Sequence, residues 1–199
     1  MVLAKMDVES DDAATALAWV ASNRVKSSSE AVDLLFEKHG DSEAATKVIP
    51  GLAFETNEKT EKRLRGLIES GSSDKVKGIA TMALARYLGN VPGVKEMAED
   101  NPERATQFYG AEVVEYVKGF EEKEGELESL YESVVANYGS ITQRGGTLGE
   151  AAESALFAMR SLKVGLEVPD IEGADLDGVE FKLSDYRGKV VVLDFWGNW

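Results

Sequence analysis

Few residues of this 199-residue chain could carry chemistry, and the densest group closes it: Asp194, Phe195, Trp196, Gly197, Asn198 and Trp199. A carboxylate and three aromatic rings can frame a reacting group, but none of them can act as its nucleophile. Cysteine is absent, which excludes disulfides, thiolate zinc sites and thiol catalysis by these residues themselves. The single histidine, His39, precedes Gly40 at a predicted helix end, where it faces the terminal carbonyls and the helix dipole. It reads as a cap and not as a metal ligand. The basic cluster Lys59, Lys62, Arg63 and Arg65 is interrupted by Glu61 and reads as one solvated helix face.

The closing group needs an element to hold it, and the residues just before it supply one. Val190, Val191, Val192 and Leu193 form a continuous branched apolar run after the turn signal Arg187-Gly188. Such a run predicts a strand buried on both faces, in the middle of a mostly parallel sheet. Residues 178–183 alternate as a second strand should, with Val179, Phe181 and Leu183 on one face. Asp175, Leu176, Asp177 and Gly178 make the turn before it. A bare apolar strand over 190–195 would invite aggregation, so it is expected to pair with 178–183 or to lie against the helical part.

Upstream of about residue 162 the pattern is helical throughout, and a domain boundary is expected there: 1–162 helical, 163–199 separate. Ala13, Leu17, Val20 and Ala21 form one stripe over 11–24, and Ser27 with Glu30 fits a capping box for a helix stopped by Gly40. A short helix after Asp41 ends at Pro50-Gly51, and Asn57 caps the next, which closes near Gly71. Val76, Ile79, Ala80, Ala83, Leu84, Tyr87 and Leu88 keep helical spacing until Gly89, read as a left-handed cap. Asn101-Pro102 starts a helix predicted to run on through Tyr109, Val113, Tyr116 and Phe120, because proline at the first helical position sacrifices no bond. Leu127, Leu130, Tyr131, Val134 and Tyr138 follow, closed by Gly139. After a polar loop, Thr147 with Glu150 is a second capping box.

Seven or eight helices with short connections predict antiparallel pairs. The stripes at 76–88 and 127–138 are loosely tetratricopeptide-like, although their offset exceeds the usual period of about 34 residues. Tyr87, Tyr109, Tyr131 and Tyr138 read as interhelix packing, with a peptide-binding groove left open as the alternative. The formal charge of −14 without a Lys/Arg stripe argues against nucleic acid as a partner. No apolar run reaches the roughly 18 residues of a membrane span. The opening residues, Met1 through Asp7, hold too short an apolar stretch for a signal peptide. No cofactor is implied.

One ordered series extends the reading: Val164-Gly165, Val168-Pro169-Asp170-Ile171, Leu176-Asp177-Gly178, Phe181-Lys182-Leu183, Asp185 to Lys189, and Val190 to Trp199. It resembles the opening of a thioredoxin-like domain of the redoxin/thiol-specific-antioxidant superfamily (AhpC/TSA), in its TlpA-type branch. The resemblance implies a mainly α chain: a multi-helix domain followed by the incomplete start, hairpin and central strand, of an α/β thioredoxin-like domain. In that family a Cys-x-x-Cys follows the second Trp directly, so the nucleophile would come after Trp199. Asp194, Phe195, Trp196, Gly197, Asn198 and Trp199 then flank the redox motif without belonging to it.

The implied activity is thiol–disulfide exchange and a part in cell redox homeostasis, with protein or small-molecule disulfides and thiols as partners. This chain by itself is expected to be inactive. A thiolate at a helix N-terminus, its pKa lowered by the dipole, would attack a disulfide, and a second Cys would resolve the mixed species. The family also implies bacterial export. Three origins are consistent with an ending before the redox Cys: a fragment, a nonsense change, or a UGA codon read as selenocysteine. Two alternatives stand beside the oxidoreductase. One is a helical protein-interaction module with a vestigial redoxin segment; the other is a peroxide-reducing relative, against which the Trp next to the expected Cys argues.

Overall fold

The computed structural model describes residues 7–23, 28–123, 125–143 and 145–197. By its contacts the chain divides into two units, Met1–Leu156 and Phe157–Trp199. The division falls within the last turns of a helix, a few residues before the change of sequence pattern at 162.

Short-range capping starts most helices of the first unit. Helix α1 (Asp11–Ser22) begins where the Ser10 hydroxyl accepts from the Ala13 amide, with Asp11 and Asp12 placed to offset the N-terminal dipole. Helix α2 (Ser28–His39) follows, and Ser27 of its expected capping box lies outside the described residues. The single short helix expected next is two, α3 (Glu43–Thr46) and α4 (Ile49–Leu52), with Pro50 in the first turn of α4, where a proline is tolerated, and not as a terminator. Helix α5 (Glu58–Ser70) starts on Asn57, whose side-chain oxygen accepts from Thr60 N at 2.9 Å.

Helix α6 (Asp74–Asp100) departs from the expected stop at Gly89. It continues through Gly89, Pro92 and Gly93, because Val91, Val94 and Ala98 prolong the buried stripe and its burial outweighs the local breakers. The helix expected over 102–120 is instead divided by Gly110, at φ 89°, into α7 (Pro102–Tyr109) and α8 (Ala111–Lys118). Helix α9 (Glu126–Tyr138) leads to a two-residue hairpin, β1 (Thr142–Gln143) with β2 (Gly146–Thr147), inside the expected loop. Helix α10 (Leu148–Ser161) opens on the Thr147/Glu150 box, with Thr147 N donating to Glu150 Oε2 at 2.8 Å and Glu150 N to Thr147 Oγ1 at 3.2 Å.

Helix α6 is the hub: α4, α5, α7, α8 and α9 all pack on it, while α1 packs on α2. Leu17, Leu35, Ile49, Leu52, Leu64, Leu84, Tyr87, Val91, Val117 and Val134 make the fully buried centre. Tyr131 is buried as expected, whereas Tyr109 is 41% exposed at the Gly110 break. Among the described residues no helix is long and apolar enough to cross a membrane.

In the second unit, β3 (Glu172–Ala174) pairs antiparallel with β4 (Glu180–Lys182), Gly173 opposite Phe181. The turn is tightened by Asp175, whose Oδ1 accepts from the amides of Asp177 and Val179, and by Gly178 at φ 78°. A 3₁₀ turn, Leu183–Tyr186, follows. Here the structure corrects the central expectation. Residues 190–197 form no strand, and β4 has taken β3 as its partner instead. Val190 is 98% and Val192 87% exposed. A strand buried on both faces needs a layer on each side, and no described residue from 157 to 197 is buried.

Candidate functional site

The residues singled out for chemistry are placed at the surface of the second unit. Asp194, Phe195 and Trp196 are exposed, the two rings at 83% and 85%, and Gly197 is half-buried. Asn198 and Trp199 lie outside the described residues. The segment is reached through the 3₁₀ turn, whose start is pinned to the residues before β3. Ser184 donates from its amide (2.8 Å) and its hydroxyl (2.7 Å) to the two oxygens of Asp170, and Leu183 N donates to the Ile171 carbonyl at 2.9 Å. The Ser184 hydroxyl, then its amide, hold the Asp170 carboxyl below its ordinary range.

Arg187 pairs with Glu167 at 2.5 Å, and the Lys189 ammonium stands 5.6 Å from the centre of the Tyr186 ring. Asp185 accepts from the Lys182 amide at 2.9 Å, a local turn contact and not a catalytic one. Between these pieces opens a cleft of about 450 Å³, walled by Val168, Leu183, Tyr186, Val191 and Leu193. It is an apolar framework with charged rims, and its lining holds no thiol. Among the described residues no group of three or more His, Asp or Glu side chains could hold a metal ion.

The helical unit holds a second polar assembly, which joins residues expected to act separately: Arg65 of the basic face, Tyr87 and Tyr116 of the helical stripes, and the Asn57 cap. Arg65 sits between two carboxylates, donating to Glu61 at 2.7 and 2.9 Å and to Glu126 at 2.7 and 3.2 Å, and so joins α5 to α9. The other Glu61 oxygen accepts from the Tyr116 hydroxyl at 2.9 Å. Tyr116 Oη is 2.7 Å from the hydroxyl of the fully buried Tyr87, which also lies 3.0 Å from the Asn57 carbonyl. Burial pushes the Tyr87 phenol up to about 12, and burial followed by the hydrogen bonds to Tyr87 and Glu61 raises Tyr116 further still. Only the i,i+4 spacing of Glu61 and Arg65 was a legible signal; the partners on α8 and α9 are remote in sequence.

Beside this chain of groups lies a groove of about 730 Å³. Glu112, Glu115 and Tyr116 of α8 form one wall, and Asp33, Lys59 and Arg63 of α2 and α5 the other. Asp33 pairs with Lys59 at 2.6 Å and Arg63 at 2.7 Å. Desolvation raises its pKa, but the two cationic hydrogen bonds outweigh that and leave it lowered. Glu126 is lowered chiefly by Arg65. His39 closes α2 in its last turn, at the negative end of the helix dipole, as expected. Its Nε2 donates to the carbonyl of Val8, 2.6 Å away, and so fastens the segment before α1.

The depressed carboxylates fix the sign of an acid response. A group held below its unfolded pKa contributes stability above that unfolded value, near 4 for Asp and Glu, and loses it as pH falls through the folded value. Arg65→Met is expected to cost about 1–2 kcal/mol at neutral pH, discounted for the exposed part of the guanidinium. The cost should shrink as pH falls below the ordinary carboxylate range and through the lowered folded value of Glu126, where the pair loses its negative partner. Thermal midpoints of the two chains at pH 7 and pH 3 check this; an equal gap at both would remove the ion pair as its cause.

Parts of the chain are similar to bacterial proteins named thiol-disulfide oxidoreductase ResA. The relative from Geobacillus thermodenitrificans is 51% identical over 39 residues, 20% of this chain and 22% of the relative. That from Bacillus anthracis is 36% identical over 55 residues, covering 27% and 32%. That from Bacillus subtilis is 40% identical over 53 residues, covering 26% and 30%. The chain thus spans between a fifth and a third of the length of these curated relatives. No family model and no solved structure matches the chain.

Proposed function

We propose that residues 163–199 are the opening of a thioredoxin-like domain of the TlpA type, and that the protein serves thiol–disulfide exchange. The observation that carries this is the similarity to the ResA proteins, 36% to 51% identical over 39 to 55 residues in these three relatives. The length of that match is close to the length of the second unit. In this reading the hairpin β3–β4, the Asp170–Ser184 clamp and the apolar wall of Val191 and Leu193 are framework. Asp194, Phe195, Trp196, Gly197, Asn198 and Trp199 approach the redox centre. The chain holds no cysteine, so the exchanging sulfurs are not among these residues.

The chemistry they would serve is exchange between thiols and disulfides. A thiolate attacks one sulfur of a disulfide and expels the other as a thiolate; a second thiol then displaces the first partner and closes a new disulfide. A protein or small-molecule disulfide is the implied partner. The alternative, a helical interaction module, rests on the groove beside Tyr116.

A segment exchange tests the first reading. A ResA protein whose corresponding segment is replaced by residues 163–199 is expected to keep insulin-disulfide reduction within about tenfold of the parent, because only framework has changed. The 199-residue chain alone is expected to reduce none. A chimera that folds, by circular dichroism, yet reduces no disulfide would discard the reading.

A further inference from the structure

We propose that α7 and α8 form a hinged arm, latched by the Tyr116 hydroxyl, whose swing widens or narrows the groove between α8 and the α2/α5 face. The hinge is the stretch Gly89, Asn90, Val91, Pro92, Gly93 inside α6. Pro92 has no amide hydrogen, so the Leu88 carbonyl one turn earlier loses its helical partner. The two glycines flanking this point have the least helical preference of any residue but proline.

The pivot itself is fastened to the body. Val91 is fully buried, and Asn90 Nδ2 donates to the Ala53 carbonyl at 3.2 Å. Beyond the pivot, α7 and α8 pack chiefly on α6 and on each other. Lys95 Nζ donates to the Phe120 carbonyl at 2.9 Å, tying the end of α8 to the far half of α6. Little of α7 is buried except Ala105.

The latch is where the arm carries a hydroxyl to the body. Tyr116 donates to Glu61, and Glu61 is held in turn by Arg65, which Glu126 of α9 anchors. Tyr116, Glu112 and Glu115 are also the arm's wall of the groove. One side chain therefore both closes the arm and lines the space that its movement changes.

Hydrogen exchange read by mass spectrometry on the full chain tests the device. Tyr116→Phe keeps the ring and removes the latch. Exchange over 102–118 is expected to rise about fivefold to tenfold, the factor for one net hydrogen bond, with 58–70 and 74–88 unchanged. The triple variant Gly89→Ala, Pro92→Ala, Gly93→Ala restores a regular helix, and the space allows it. A Cβ at Gly93 meets nothing within 4 Å, and one at Gly89 only Leu127 at 3.8 Å. Exchange over 102–118 should then slow below that of the unaltered chain. Either of two results overturns the proposal: a rise spread evenly over all helices in Tyr116→Phe, or arm exchange unmoved by stiffening the hinge.

Discussion

Gly78→Leu is expected to be the most damaging single substitution in the helical unit. Where α6 crosses α9, a Cβ on Gly78 would stand 2.7 Å from Tyr138 Cβ and 2.7 Å from Ile141 Cδ1. The first of these atoms is attached directly to the α9 backbone, so no rotamer change relieves the contact and the helices must separate. Leucine gains about 1 kcal/mol of helix propensity over glycine, but overpacking of this kind costs about 3 kcal/mol or more. The net loss of about 2–3 kcal/mol should lower the thermal midpoint by roughly 4–12 °C. Gly66→Leu on α5 is the control: a Cβ there meets nothing within 4 Å, and the propensity gain should raise the midpoint slightly. If both variants melt together, the close approach of α6 and α9 is not what selects glycine at 78.

Removing residues 163–199 is expected to leave the helical unit folded and to improve its solubility severalfold. Among the described residues the apolar core lies at or before Leu156, and α10 remains whole in the shortened chain. The midpoint should therefore move by no more than about 1–2 °C, the scale of a surface change. What leaves is an apolar surface containing Val190, Val192, Phe195 and Trp196, nearly bare, with no neighbouring strand among the described residues. Such a segment is a template for intermolecular pairing. Light scattering at rising concentration and a melting curve read both halves. A fall of several degrees would show that the second unit contributes to the core; unchanged scattering would show that the closing segment is already sheltered.

These two expectations rest on different kinds of information, as do the parts of the fold. Helix starts at Asn57, Asn101 and Thr147 were legible because a cap is a bond between a side chain and an amide three residues away. The stop at Gly89 was misread by the same logic. Glycine does end helices, yet here Val91, Val94 and Ala98 find burial beyond it, and no local rule counts that. The uninterrupted helix expected over 102–120 failed in the opposite direction, for Gly110 takes a positive φ in the middle of an otherwise helical pattern.

The candidate sites divide likewise. The order of motifs from Val164 to Trp199 was enough to direct attention to thiol–disulfide chemistry, and the similarity to the ResA proteins is of the same kind, a likeness of sequence. It could not say whether Val190, Val191, Val192 and Leu193 would be buried, because a strand's burial is a property of its neighbours.

By itself, then, the sequence determined the caps, most helix periods, the acidic surface, the want of any sulfur nucleophile and the likeness of its last segment to a redoxin opening. All of these are set by residues within a few positions of one another or by composition. Only the tertiary structure decided that α6 would run through a proline, that Tyr116 would meet Glu61, and that the final apolar run would form no strand. Each of those depends on groups far apart in the chain, whose meeting is settled by the total burial and hydrogen bonding of the packed whole.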